Sequence, residues 1–347
     1  MIHRRWACLL LLVSCASVAV CPESVAQVKL SGDFRWKTTT PWVLPQDIAG
    51  ISCYSIKDPS IVRYEGRWHL FCTIRGKERS HAVVYLSFEE WNEAGSAKRH
   101  LLPMHDGYYC APQVFYFSPH ARWYMICQAA GDEWEPKYQP AFATSNNVAD
   151  PNSWSKLRPL YEKKPDNVRA WIDFWVICDA ANAHLFFTSL NGRMWRSATT
   201  LADFPHGWSK PVEALRGDVF EASHTYRLEG SGEYLTLIEA QGGHGWRYYK
   251  AYVADRLEGP WKPFAATKDR AFASMRNVEH PVERWTDSIS HGELLRSGYD
   301  ERLDVDPRQL RLLFQGVLDR DRRGKSYGQI PWRLGILEPI KQDGRDR

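Results

Sequence analysis

Apolar residues in this chain fall in short continuous or alternating runs, broken at close intervals by Gly, Pro, Asn and Asp, and helical spacing is almost absent. That pattern predicts an all-β protein. The runs also repeat in pairs. The first pair covers residues 58–74 and turns at Glu65-Gly66; the second covers 111–128 and turns at Ser118-Pro119. A third starts at Asp173, a fourth at Glu221, and a fifth at His291, which resumes at Arg311 after a longer insertion. Each of the first four pairs is followed by another strand-like run and a loop closing on Trp91, Trp154, Trp208 or Trp261. A unit of roughly fifty to seventy residues with three or four strands is the signature of a propeller blade. Five such units predict a five-bladed β-propeller occupying residues 27–347 as a single domain. Either residues 34–43 or 332–336 would supply the strand that closes the ring. A β-sandwich with chance likeness between hairpins is the alternative.

Acidic residues punctuate this repeat. Asp58 stands twelve residues before Leu70, Asp173 twelve before Leu185, and Glu221 fourteen before Leu235. The longer third interval reads as extra residues in the turn, which places all three acids at one repeat position. Ala111 and His291 open the second and fifth units, so acid is not the repeat's default. One acid alone at a strand start is most simply a turn cap; three on converging strands form a cluster. A pair of carboxylates can hydrolyse a glycosidic bond, one protonating the leaving oxygen and the other activating water. A third nearby raises the acid's pKa. Glu221, with the longer reach, is assigned the acid role. Asp179 competes with Asp173, but its Cys178-Asp179-Ala180-Ala181-Asn182 context reads as a turn away from the strand start.

Composition narrows the partners. Charged residues are 25% and the net charge is +4, which gives no basic excess for nucleic acid and no sign of disorder. Aromatics reach 13%, with 16 Trp; most serve as core, and some are available to stack on sugar rings. The N-terminus has a basic His3-Arg4-Arg5, an apolar stretch from Trp6 to Val13 and a small-residue Ser24-Val25-Ala26 site. It reads as a signal peptide over residues 1–26, hence export to a periplasmic or extracellular place. Leu12-Val13-Ser14-Cys15 also resembles a lipobox, which would anchor the protein by a lipid on Cys15. No segment is long and apolar enough for a lasting transmembrane span. Beyond the signal remain Cys53, Cys72, Cys110, Cys127 and Cys178, an odd number without a CxxC pair. Three of them sit in apolar runs as small hydrophobes. Cys53 is able to pair with Cys72 or Cys110, a choice the spacing leaves open. Gln241-Gly242-Gly243-His244-Gly245 reads as a blade turn, and the basic stretch 320–325 as a solvated loop.

Several motifs together resemble glycoside hydrolase family 62: Ile56-Lys57-Asp58-Pro59-Ser60, Asp173-Phe174-Trp175, Phe220-Glu221-Ala222, Trp285-Thr286-Asp287-Ser288-Ile289-Ser290-His291-Gly292-Glu293-Leu294 and Phe314-Gln315-Gly316, in order between about residues 33 and 337. The resemblance implies a monomeric five-bladed propeller that removes α-L-arabinofuranosyl side groups from arabinoxylan of the plant cell wall, with inversion. It implies Asp58 as general base, Glu221 as general acid and Asp173 as pKa modulator. It further implies Lys57 on the arabinose hydroxyls, Tyr327 as a pocket wall, and His291 holding a cation, usually calcium (Ca2+), in the channel. Two departures fall near the substrate cleft. Trp134 takes the place of a Trp that typical members carry shortly after the second unit, and Gly328 stands where Asn is common. Action on arabinan or β-xylosides, or sugar binding without catalysis, are the competing expectations.

Overall fold

The computed structural model describes residues 30–243 and 245–340. The export pattern, Cys15 and His244 lie outside them. Five sheets follow one another around a central axis. The first blade runs Cys53–Tyr64, Arg67–Gly76, Ala82–Phe88 and His100–Leu101. The second runs Tyr109–Phe117, Arg122–Ala130, Tyr138–Ser145 and Arg158–Pro159; the third Ile172–Cys178, Asn182–Thr188, Arg193–Thr200 and Val212–Arg216. The fourth comprises Glu221–Leu228, Tyr234–Gly243, Gly245–Ala254 and Lys262–Ala265, and the fifth is built on Ser290–Leu294, Leu312–Gly316 and Arg333–Pro339. All are antiparallel meanders, as the hairpin turns predict. The Glu65-Gly66 turn, for instance, has φ of +47° and +78°, the geometry that a two-residue hairpin requires.

Both candidate closing strands are used, because they pair with each other. Trp36–Thr38 adds to the outside of Arg333–Pro339 in antiparallel register, Trp36 opposite Pro339 and Thr38 opposite Leu337. The first and last strands of the described residues thus share one sheet and lock the ring. The insertion in the fifth unit has its own task. The Tyr116 amide donates to Tyr299 O at 2.8 Å and the Cys178 amide to Glu301 O at 2.8 Å, while Asp304–Val305 pairs in parallel with Arg227 and Leu228. It therefore runs across the ends of the second, third and fourth blades.

Apolar faces of neighbouring blades form the core. Closing tryptophans reach across to the preceding blade: Trp154 lies edge-on to Phe71 at 5.6 Å and Trp261 to Phe186 at 6.0 Å. Inner strands of adjacent blades share no backbone ladder, so polar side chains satisfy the amides that face the axis. Ser60 accepts from the Val114 amide at 2.9 Å, and Gln113 clasps Val176 through both its amide and its carbonyl, at 2.7 and 2.6 Å. Trp175 donates to Thr225 O at 2.8 Å, Tyr249 accepts from the Gly292 amide at 2.7 Å, and Gln315 accepts from the Asp58 amide at 2.8 Å. One such bond spans every blade junction. The thiols of Cys53, Cys72, Cys110, Cys127 and Cys178 are all free, so the Cys53 pairing is not made.

Candidate active site

Every inner strand carries a bulge near its start. Pairing jumps between Lys57 and Ser60, Cys110 and Gln113, Ile172 and Trp175, Glu221 and His224, and Ser290 and Gly292. In the first four, the residue after the jump's start has a left-handed backbone: Asp58 (φ 47°), Ala111 (φ 51°), Asp173 (φ 55°) and Ala222 (φ 53°). Such conformations cost on the order of 1–3 kcal/mol in a non-glycine residue and persist where surroundings hold them. Here side chains of the preceding blade do so. Asp58 N is held by Gln315, Ala111 N donates to Thr73 Oγ1 at 2.8 Å, and Ala222 N donates to Asp173 Oδ2 at 3.1 Å. Bulges re-aim side chains, and these turn the strand starts toward the channel mouth.

The bulge alignment corrects one expectation. Asp58 and Asp173 are equivalent, but the fourth blade's equivalent is Ala222, and Glu221 occupies the position of Lys57. The fourteen-residue interval misled because the fourth hairpin is two residues longer: Ile61 faces Leu70 in the first, whereas Thr225 faces Thr236 in the fourth. All three acids still meet. A cavity of about 290 Å³ is lined by Lys57, Asp58, Asp173, Glu221, His291 and Tyr327, together with His81, Tyr108, Cys110, Gln128, Phe220 and Arg247. Asp58, Asp173 and Glu221 are 3%, 5% and 7% exposed, so their charges interact with little screening by water.

The surroundings of the acids differ. Lys57 Nζ reaches Asp58 Oδ2 at 2.9 Å and Oδ1 at 3.1 Å. Burial opposes the Asp58 charge, but the Lys57 ammonium and then His291 outweigh it and hold the carboxyl down at about 2. Glu221 contacts Arg247 Nη1, and the same nitrogen donates to Glu239 Oε1 at 2.7 Å. Burial and then the Glu239 charge push Glu221 up to about 7 against the pull of Arg247. Asp173 is raised well above the carboxylate range by burial, then by Glu221 and Asp58. His291 Nδ1 lies 3.6 Å from Asp58 and 3.7 Å from Asp173, and burial lowers its own pKa.

Lys57 and Arg247 both stand over the Tyr327 ring at 5.6 Å, and Tyr327 remains 42% exposed at the mouth. Trp134 is not among the cavity's lining residues. Its loop turns back, Trp134 N donating to Gly131 O at 3.2 Å, and the ring stacks on His105 at 5.7 Å. Gly131 is required there, since a Cβ would meet the indole at 2.5 Å. Asp179 sits in the hairpin turn at the far end of the strand that Asp173 begins, accepting the amides of Ala181 and Asn182 at 2.8 Å. Arg247 and Glu239 escaped sequence reasoning. A signal for them existed: Glu239 interrupts the apolar Leu235–Ala240 stretch, and a charge there needs a buried partner.

Calcium takes six to eight oxygen ligands. Around His291 the protein offers one ring nitrogen beside carboxylates already engaged by Lys57 and the Ala222 amide, so protein atoms alone do not form that shell. Among the described residues, the trio with ligand atoms within 4.8 Å of one another is Asp179, His184 and Glu258. Arg196 Nη1, which can only donate, lies 3.1 Å from His184 Nδ1. Nε2 therefore carries the proton and donates to Asp179 at 2.9 Å, a hydrogen-bonded chain that needs no cation.

A ring of five sheets whose bulged strand starts gather opposed carboxylates in one small cavity defines a glycoside-hydrolase propeller. The chain matches Glycosyl hydrolase family 62 over residues 35–338 and belongs to that family. It is 39% identical over 318 residues to Alpha-L-arabinofuranosidase C of Cellvibrio japonicus, covering 89% of this chain and 48% of that protein, so it spans about half that relative's length. The catalytic domain of a GH62 alpha-L-arabinofuranosidase from Coprinopsis cinerea superposes with TM-score 0.82 and 38% identity, covering 89% of this chain and 98% of that one. An alpha-L-arabinofuranosidase of Podospora anserina, solved with cellotriose, gives TM-score 0.82 and 34% identity over 90% and 98% of the two chains.

Proposed function

We propose that this protein is an exo-acting α-L-arabinofuranosidase that cleaves arabinofuranosyl side groups from arabinoxylan with inversion at the anomeric carbon. One observation carries the reading: a single cavity holds two buried carboxylates displaced in opposite directions, Asp58 to about 2 and Glu221 to about 7. Below about pH 7 the first is a base and the second keeps its proton, the pairing that general acid–base hydrolysis needs. In the reaction, Glu221 gives its proton to the glycosidic oxygen as the C1–O bond breaks. Water attacks C1 from the opposite face and loses its proton to Asp58. Inversion calls for roughly 6.5–9.5 Å between the two carboxyl groups, room for that water. Asp173 positions the acid, since its carboxyl oxygen Oδ2 accepts the amide of Ala222, the residue after Glu221. Lys57 keeps Asp58 charged and presents N–H donors to sugar hydroxyls, and Tyr327 supplies a flat wall. The cavity, at the small end of ligand pockets, suits one pentose.

The similarity to arabinofuranosidases over nearly the whole propeller supports this substrate. Export by residues 1–26, free or anchored through Cys15, and action as a monomer belong to the same reading. So does a hydrated calcium ion in the channel with His291 as its protein ligand; every proton transfer above runs on the chain's own carboxylates. The test is anomeric NMR of products from wheat arabinoxylan during the first minutes of reaction. Release of β-arabinofuranose supports the assignment. Retention of the α configuration rejects inversion, and xylose or arabinan oligomers as the sole products reject the substrate.

A further inference from the structure

Arg75 is the last residue but one of the second strand of the first blade, opposite Ser55. Its guanidinium lies on the backbone of Gly328: a Cβ at 328 would meet Nη2 at 2.5 Å, Cζ at 2.8 Å and Nη1 at 3.3 Å. Only the absence of a side chain at 328 leaves that place to the guanidinium. Gly328 follows Tyr327, a wall of the cavity, and Arg75 also depresses the pKa of His81 on the cavity lining, after burial and Lys57. The cation thus stands beside the cavity, next to Tyr327 and outside the cavity's own lining. It is half-buried, pairs with no carboxylate among the described residues, and its Nε is buried without an acceptor. The loop leading to Tyr327 adds to this field. Arg320 and Arg322 are matched by Asp321 and Asp319, whereas exposed Arg323 and Lys325 have no ion-pair partner among the described residues.

We infer that Arg75 is a specificity residue that binds a carboxylate on the polysaccharide carrying the scissile arabinose, so that the preferred substrate is a uronate-substituted xylan. A guanidinium fork matches a planar carboxylate in two hydrogen bonds, and the sugar held in the cavity places the backbone, with its other side groups, across the mouth. This rests on the arabinofuranosidase reading, and it concerns only the ratio between acidic and neutral polymers.

The experiment compares arabinose release from glucuronoarabinoxylan before and after carbodiimide–borohydride reduction of its carboxyls, with a nitrophenyl arabinofuranoside as the small substrate. For the unaltered protein, reduction should lower kcat/KM about fivefold, the size of a half-exposed charge pair. Arg75→Gln should fall by the same factor on the native polymer and ignore reduction, with its rate on the small substrate unchanged. Gly328→Asn, which pushes the guanidinium aside, should reproduce this. Equal rates of the unaltered protein on native and reduced polymer overturn the inference, as does an Arg75→Gln protein that still discriminates. A uronate-bearing pectic arabinan is the second acidic polymer; faster release from it than from glucuronoarabinoxylan overturns the xylan source. No arabinose from any polymer would instead remove the underlying reading.

Discussion

The two flanks of the cavity start from the same motif and arrive at opposite chemistry. On the first blade, Lys57 faces one carboxylate, Asp58. On the fourth, Arg247 is shared by two, Glu221 and Glu239. One cation to one anion leaves Asp58 ionised, pushed down to about 2; one cation to two anions leaves a proton on Glu221, raised to about 7. Both sites are buried, so desolvation is common to them and does not decide the difference. Counting charges does. The proposed acid and the proposed base differ in how many carboxylates share one cation.

The largest effect comes from removing either end of the pair. Glu221→Gln and Asp58→Asn should each lower kcat on arabinoxylan by about 10²–10⁴-fold with thermal unfolding still cooperative; a variant within tenfold of the parent would contradict its role. Next, Lys57→Met removes the cation that holds Asp58 down. The base's pKa then rises, the acidic limb of the kcat/KM profile moves to higher pH, and the rate at pH 5 drops by more than about tenfold. A limb that stays in place would show that another group sets it. Glu239→Gln leaves Arg247 to Glu221 alone. Loss of the Glu239 charge and the undivided guanidinium act in the same direction, so the alkaline limb should move down by about one pH unit. An upward shift would refute the shared-cation account.

The smallest effect is on stability. Glu221 is raised from 4.5 in the folded protein and Asp173 from 3.8, so their contribution is full below those values and is lost as pH rises through the folded pKa. Asp58 is lowered from 3.8, so its contribution is present above that value and lost as pH falls toward 2. Calorimetry should therefore give a Tm difference, parent minus Glu221→Gln, that shrinks by a few degrees between pH 5 and pH 8; the buried histidines, whose lowered pKa values favour folding as pH rises, act alike in both proteins. A difference that stays constant over that range would contradict a raised Glu221. At fixed pH, calcium added after chelation should raise Tm slightly; an unchanged Tm removes the channel cation.

The blades were readable because hairpin periodicity is local. Glu65-Gly66 turns where expected, and Trp154 and Trp261 close their loops against the preceding blade. The cavity was readable in part. Asp58, Asp173, Glu221, Lys57, Tyr327 and His291 all line it. Trp134 lines no part of it, because its loop folds back onto Gly131 and His105. Arg247, Glu239 and Arg75 were missed, since each owes its role to a partner set by cross-strand or cross-blade packing.

The amino-acid order by itself determined the five-unit ring, the acids that open three of the units, and the pairing of strands within each unit, because turns and alternation act over a few residues. Tertiary structure decided the rest. It joined 36–38 to 333–339, set Glu221 level with Lys57 rather than Asp58, and apportioned two cations among three carboxylates. Those outcomes depend on distances between groups far apart in the chain and on the exclusion of water around them, and neither quantity exists until the blades close.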